Sequence, residues 1–167
     1  MQTFLPFPGL DRSARCLDRA RLGKQRVEVV QLLRALAGET QGWSSHPAAI
    51  MWRGHEVALC RYGVAVCDEW TRRGYLDTRL PVIVDLSDRF PGTDAPPPWL
   101  GDAAFHLAHR SNLRRKDPGH YSPERLGPAW DVPDDLPYLW PVLDGAGGYT
   151  LRTIEPSRGA KRGKERQ

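Results

Sequence analysis

Four groups in this chain have the chemistry of a nucleophile or proton carrier: the α-amine of Met1, the ε-amine of Lys24, and the carboxylates of Glu28 and Glu56. An α-amine has a reference pKa of about 7.7–8.0 against roughly 10.4 for lysine, so the Met1 amine is the easier of the two to use at neutral pH. Lys24 and Glu28 stand four apart in a helix-forming stretch, which puts amine and carboxylate on one face. A carboxylate so placed can shuttle a proton for the amine, while Arg21, Arg26 or Arg53 holds a phosphate. The plain alternative is a solvated ion pair between Lys24 and Glu28.

The cations are unevenly spread. The formal charge is +4, from 24 Lys and Arg against 20 Asp and Glu, and cations gather at Arg12 to Arg34, at Arg110 to Lys116, and in the tail from Arg158 to Arg166. That clustering favours a polyanionic partner more than the total does. Within HLAHRSNLRRKDPGHY, Arg110, Arg114, Arg115 and Lys116 are candidates for phosphates. Ser111 and Asn112 offer hydrogen bonds to backbone or bases, and His109, His120 and Tyr121 offer contacts or stacking surfaces. His106 and His109 have the i, i+3 spacing of a ligand pair, but without a third ligand at helical spacing the expectation is no metal. No cofactor is implied. Three cysteines, Cys16, Cys60 and Cys67, form no CxxC pair and read as small core residues.

At 167 residues the chain supports one sizeable core. The expected organisation is a compact, mainly all-α domain over residues 1–156 with an anchored N-terminal arm, followed by a flexible basic tail over 157–167. The arm, residues 1–9, carries Phe4, Leu5 and Phe7 with two prolines that exclude a helix interior. Asp11 or Ser13 is expected to cap a short helix before a main helix in which Val27, Val30, Leu33 and Leu36 recur at threes, with Val29 and Leu32 widening the apolar face. Arg21, Lys24, Glu28 and Gln31 form its polar ridge. Gly23 implies either a close backbone approach or a helix break.

A second long helix is expected from Ser45 or His46 to about Arg73, with Pro47 in its first turn and a break near Gly54 or Gly63. Tyr75 to Val84 is open between helix and extended chain, and Asp85 to Pro98 is a loop. A third helix runs from about Gly101 to Lys116. Tyr121 to Pro141 reads as an ordered aromatic wrap, Gly145 to Gly148 as a turn, and Tyr149 to Ile154 as a short extended segment.

Several motifs together resemble a family of small bacterial proteins related to the pyrimidine-dimer DNA glycosylases of the phage endonuclease V type. They are MQTFLPFP, LDRARLGKQRVE, HPAAIMWRGHEVALCRYGVAVCDEWTRRGY, HRSNLRRKDPGHY and DDLPYLWP. The resemblance implies a compact helical protein that grips damaged duplex DNA and attacks the deoxyribose C1′ with its N-terminal amine. It then cleaves the backbone by elimination through a Schiff base. An ungapped match aligns Arg26 with a phosphate-binding arginine and puts Gly23 where the catalytic glutamate would stand. Glu28, about a turn later, and Glu56 are the candidate replacements. Gln2 disfavours removal of Met1, because processing generally demands a small second residue, so the nucleophile is the amine of Met1, Lys24, or water.

The resulting expectation is a DNA glycosylase, with or without a lyase step at the abasic site, that excises a damaged or modified pyrimidine from duplex DNA. Its catalytic candidates are Met1, Lys24, Glu28 and Glu56. Its DNA contacts are Arg21, Arg26, Arg53, His109, Arg110, Ser111, Asn112, Arg114, Lys116 and Tyr121. The alternatives are a noncatalytic DNA-binding or damage-sensing protein and an enzyme acting on a free nucleotide. With no signal-peptide pattern and no run of roughly 18–20 apolar residues, the expected setting is cytoplasmic and nucleoid-associated, as a monomer and with no membrane partner.

Overall fold

The computed structural model describes residues 2–153; Met1, Ile154 and the basic tail expected over 157–167 lie outside the described residues. In chain order the helices are α1 (Leu10–Cys16), α2 (Arg19–Leu36), α3 (Pro47–Trp52), α4 (Glu56–Arg72), α5 (Leu80–Ser87), α6 (Ala103–Lys116) and α7 (Pro123–Leu126), followed by a 3-10 turn at Pro128–Trp130. Two strands close the described chain, β1 (Leu139–Leu143) and β2 (Tyr149–Thr153), paired antiparallel with Leu139 opposite Thr153. The protein is therefore mainly helical. No described helix is long and apolar enough to cross a membrane.

α2 is continuous through Gly23. What approaches there is a side chain and not a backbone: a Cβ on Gly23 would lie 3.0 and 3.1 Å from two ring atoms of Trp70. Val29, Val30, Leu32 and Leu33 are buried as expected, but Val27 is 36% exposed. A spacing of three drifts by about 60° per step around a 3.6-residue helix, so the stripe has left Val27 behind by the time it reaches Leu33.

The long second helix is two helices. Gly54, at φ +81, sits in the break between α3 and α4. Pro47 opens α3 under a cap in which His46 Nδ1 accepts the Ala48 N–H at 3.1 Å. Gly63, in contrast, lies inside α4, where its missing side chain lets three helices close up. A Cβ there would come within 2.8 Å of Val29 Cγ1 on α2 and 2.9 Å of Ile83 Cδ1 on α5. Gly63→Val should lower unfolding stability by about 3 kcal/mol, read as a shifted urea midpoint at unchanged slope.

α1 departs from the expected caps. Its N-cap is Gly9, without a side-chain bond, and Ser13 instead donates its hydroxyl to Phe7 O at 2.8 Å while accepting the Phe7 N–H at 3.1 Å. The arm from Thr3 to Phe7 is buried throughout. With no strand beside it among the described residues, its backbone is satisfied by side chains. The Phe4 N–H donates to Gln25 Oε1 (2.9 Å), the Leu5 N–H to His109 Nδ1 (3.1 Å), and Arg110 donates to Pro6 O (2.6 Å). Trp52 Nε1 donates to the Thr3 hydroxyl at 3.1 Å. The three cysteines are free and buried.

Candidate active site

Asp18 fixes the start of α2. Its carboxylate accepts the Arg21 N–H at 2.9 Å, pairs with the Arg21 guanidinium, and accepts the Tyr121 hydroxyl proton at 2.6 Å; the Asp18 N–H in turn donates to the Tyr121 oxygen at 3.1 Å. Burial acts to raise the Asp18 pKa, but the hydrogen bonds from Tyr121 and Arg21 overcome it and hold the carboxyl at about 2. Tyr121→Phe should cost about 1–3 kcal/mol of stability and move the Asp18 titration upward, as seen in carboxyl NMR shifts. Asp18 is depressed, so its contribution is complete above its reference pKa of 3.8 and is lost as pH falls toward 2.

One turn on, Gln25 joins the arm to the candidate carboxylate. Its Nε2 donates to Gln2 O at 2.6 Å and to Glu28 Oε2 at 2.7 Å, while its Oε1 accepts from the Phe4 N–H and lies 2.7 Å from the Tyr62 hydroxyl. Burial raises the Tyr62 pKa, so that hydroxyl keeps its proton and donates it. Glu28 is only 5% exposed, and Lys24 Nζ, on the solvent side, stands 3.5 Å from its Oε1. Both oxygens of this buried side chain have a partner, the Gln25 amide on one and the Lys24 ammonium on the other. Glu28 is therefore not part of a solvated ridge.

The end of α6 supplies the opposite rim. Lys116 has its pKa lowered by burial and by the nearby charges of Arg21, Arg115 and Lys24. Its Nζ lies 6.0 Å from the centre of the Tyr138 ring. Burial pushes the Tyr138 hydroxyl up to about 12; Arg115 and Arg21 act to lower it and Glu28 to raise it. Lys24 pairs with Glu28, the charges of Arg21, Lys24 and Arg115 bear on Lys116, and those of Arg21, Arg115 and Glu28 on Tyr138. The two basic segments of the sequence thus come within electrostatic reach of each other. Arg21 is itself paired with Asp18, and Arg115 is bonded to Asn112 and to the carbonyls of Asp134 and Leu136. Such a site can hold an anionic strand on its cations while the shielded carboxylate takes or returns a proton.

Other candidates go elsewhere. Arg26 is buried, pairs with Asp77 Oδ1 at 3.1 Å and stacks over Trp70 at 4.1 Å, so its guanidinium is committed inside the protein. His109 is 0% exposed and holds Leu5, and this corrects its assignment as a phosphate contact. The His106–His109 spacing serves the arm: Gly101 N–H donates to His106 Nε2 (3.0 Å), leaving Nδ1–H to donate to Leu5 O (2.7 Å). Ser111 and Asn112 are buried and bind the backbone of Leu136, while Arg114 donates to Trp130 O and Val132 O and Arg110 to Pro6 O. These side chains latch the arm and the aromatic wrap to α6. Tyr121 is fully buried against Asp18.

Arg53 is exposed, at the end of α3, and donates to Ser44 O. Glu56, the first residue of α4, accepts the N–H of Gly54 in the preceding turn at 2.8 Å. α2 and α4 run antiparallel, with Gly23 against Trp70 and Val29 against Gly63. Glu56 therefore falls opposite the C-terminal end of α2, about 12 Å along that helix from Glu28. The Met1 amine lies outside the described residues. Sequence reasoning missed Gln25, Asp18 and Tyr138 in this site. Only Asp18, directly ahead of a helix-forming run, carried a signal, that of an N-cap.

Residues 1–80 match a family model described as pyrimidine dimer DNA glycosylase. The matched stretch carries the arm, α1 to α4, Glu28 and Asp77; α6, Tyr121 and Tyr138 lie beyond it. No curated protein and no solved structure matches the chain.

Proposed function

We propose that the protein is a DNA glycosylase acting on a damaged or modified pyrimidine in duplex DNA, with Glu28 as its proton carrier. The observation that carries this reading is the Gln25 amide, which binds the arm at Gln2 O and the Glu28 carboxylate together, with Lys24 paired to that carboxylate and the charges of Arg21, Lys24 and Arg115 bearing on Lys116. The likeness of residues 1–80 to the pyrimidine dimer glycosylase model supports the same reading. Cations on the rim hold the backbone phosphates, and the target nucleotide is extruded toward Glu28.

An amine, that of Met1 or Lys24, attacks C1′ as the bond to the base breaks; the Glu28 carboxylate takes the proton that the amine sheds, and the base leaves with a proton from solvent. The C1′–O4′ bond then opens as the nitrogen lone pair forms the C1′=N bond, and Glu28 returns its proton to O4′. The protonated imine so formed loses a C2′ proton to the Glu28 carboxylate, and the C3′–O bond breaks with the phosphate as leaving group. If water replaces the amine, the reaction ends at base release. Borohydride trapping on an abasic duplex, followed by peptide mapping, separates these routes: an adduct on Met1 or Lys24 identifies the amine. Base release without an adduct identifies water, and neither outcome with stoichiometric protein across a panel of lesions defeats the proposal. A noncatalytic DNA-binding role is the second reading, favoured by how little of Glu28 is open to solvent. It gives salt-dependent binding of duplex with no base release.

A further inference from the structure

Leu76 is 88% exposed, yet the chain on either side of it is fixed. The Trp70 indole N–H donates to Leu76 O at 3.1 Å. Before it, Tyr75 packs on Trp70 with ring centres 4.4 Å apart, and the Arg19 guanidinium lies 4.8 Å from the Tyr75 ring centre. After it, Asp77 accepts the N–H groups of Arg79 (3.0 Å) and Leu80 (2.7 Å), capping α5, and pairs with the buried Arg26. A leucine on a soft loop folds back onto the protein surface; this one is held outward by its own backbone anchors.

The surface beside it is suited to DNA. The exposed residues of α2 are Arg19, Ala20, Lys24, Val27, Gln31 and Arg34, three cations with no carboxylate among them. Around the helix, Lys24 forms one edge of this ridge, with the buried Glu28 just beyond it, and Arg19 and Gly23, against Tyr75 and Trp70, form the other. A polyanion laid along the ridge therefore has the candidate site at one edge and Leu76 at the other. We infer that Leu76 is a wedge that enters a base step of a duplex lying on α2 and unstacks it, so that a nucleotide can leave the helix. Apolar side chains inserted between base pairs, flanked by cations on the phosphates, work in this way, and a pre-fixed wedge loses little freedom on binding.

This inference rests on the DNA reading above, and its test separates the two. The probes are a duplex carrying 2-aminopurine beside a non-cleavable tetrahydrofuran abasic analogue and paired at every other position, and the same sequence with that region already unpaired. Wild-type protein should raise 2-aminopurine fluorescence on the paired probe. Leu76→Ala should abolish the rise and weaken paired-duplex binding by about tenfold, leave binding of the unpaired probe unchanged, and melt at the wild-type temperature. Leu76→Met should restore both signals. Equal losses on the two probes, or no loss on either, would overturn the wedge while leaving the DNA reading in place. Wild-type protein that binds neither probe overturns both.

Discussion

Glu28→Gln is expected to slow base release by about 10²–10⁴-fold in single-turnover assays while the protein folds and binds DNA as before. Glutamine keeps the shape of the side chain, and its amide oxygen still accepts the Gln25 Nε2 proton that Glu28 Oε2 accepts now at 2.7 Å. What disappears is the negative charge and its capacity to carry a proton. Removing the anion that pairs with Lys24 makes this surface more positive, so affinity for DNA should hold or rise at low salt. Loss of affinity alongside loss of rate would point to a collapsed site. An undiminished rate would remove Glu28 from the chemistry altogether.

The second large effect is acid sensitivity set by His109. Burial, with a smaller push from His106, holds its ring down to about 3, against the ordinary 6.5. The Leu5 N–H donates to Nδ1, so the ring is neutral with its proton on Nε2. Below pH 6.5 the unfolded chain takes up a proton that the folded one refuses, so this contribution is complete above 6.5 and declines as pH falls toward 3. The slope from one such group approaches about 1.4 kcal/mol per pH unit, or roughly 2–3 kcal/mol lost by pH 4.5. His106, shifted downward chiefly by burial, acts in the same direction. Urea midpoints at pH 7, 6 and 5 measure the slope. His109→Gln, whose amide oxygen can accept from Leu5, should flatten it by about one proton, and an unchanged slope would exclude His109 as its source.

Helical periodicity made α2 and α6 legible, because apolar spacing reports which face is covered, but it left the break in the second helix open between Gly54 and Gly63. It does not report how a polar side chain is covered. Glu28 and Gln31 belong to the same ridge by spacing, yet Glu28 is buried and Gln31 is exposed. The difference lies in the arm: Gln25 bonds to Gln2 and Phe4, residues more than twenty positions away. The segment from His106 to Lys116 was misleading for the same reason. Its cations and amides have the composition of a phosphate site, but the acceptors of Arg114 and Asn112 are backbone carbonyls 16 to 24 residues later. A carbonyl leaves no mark in a sequence. Gly63 and Gly54 look alike in a helix-forming run, and only the presence of Val29 and Ile83 makes one a packing gap and the other a turn.

The clamp on Leu5 also sets an order of events during synthesis. Its partner His109 lies 104 residues further along the chain. At about 5–20 residues per second, the ribosome needs roughly 5–20 s to add that much polypeptide. Through that interval Phe4, Leu5 and Phe7 have no α6 to close over them, so nascent chains that stall before α6 carry a greasy, unclaimed arm. Chaperones that bind short apolar segments have their opening here.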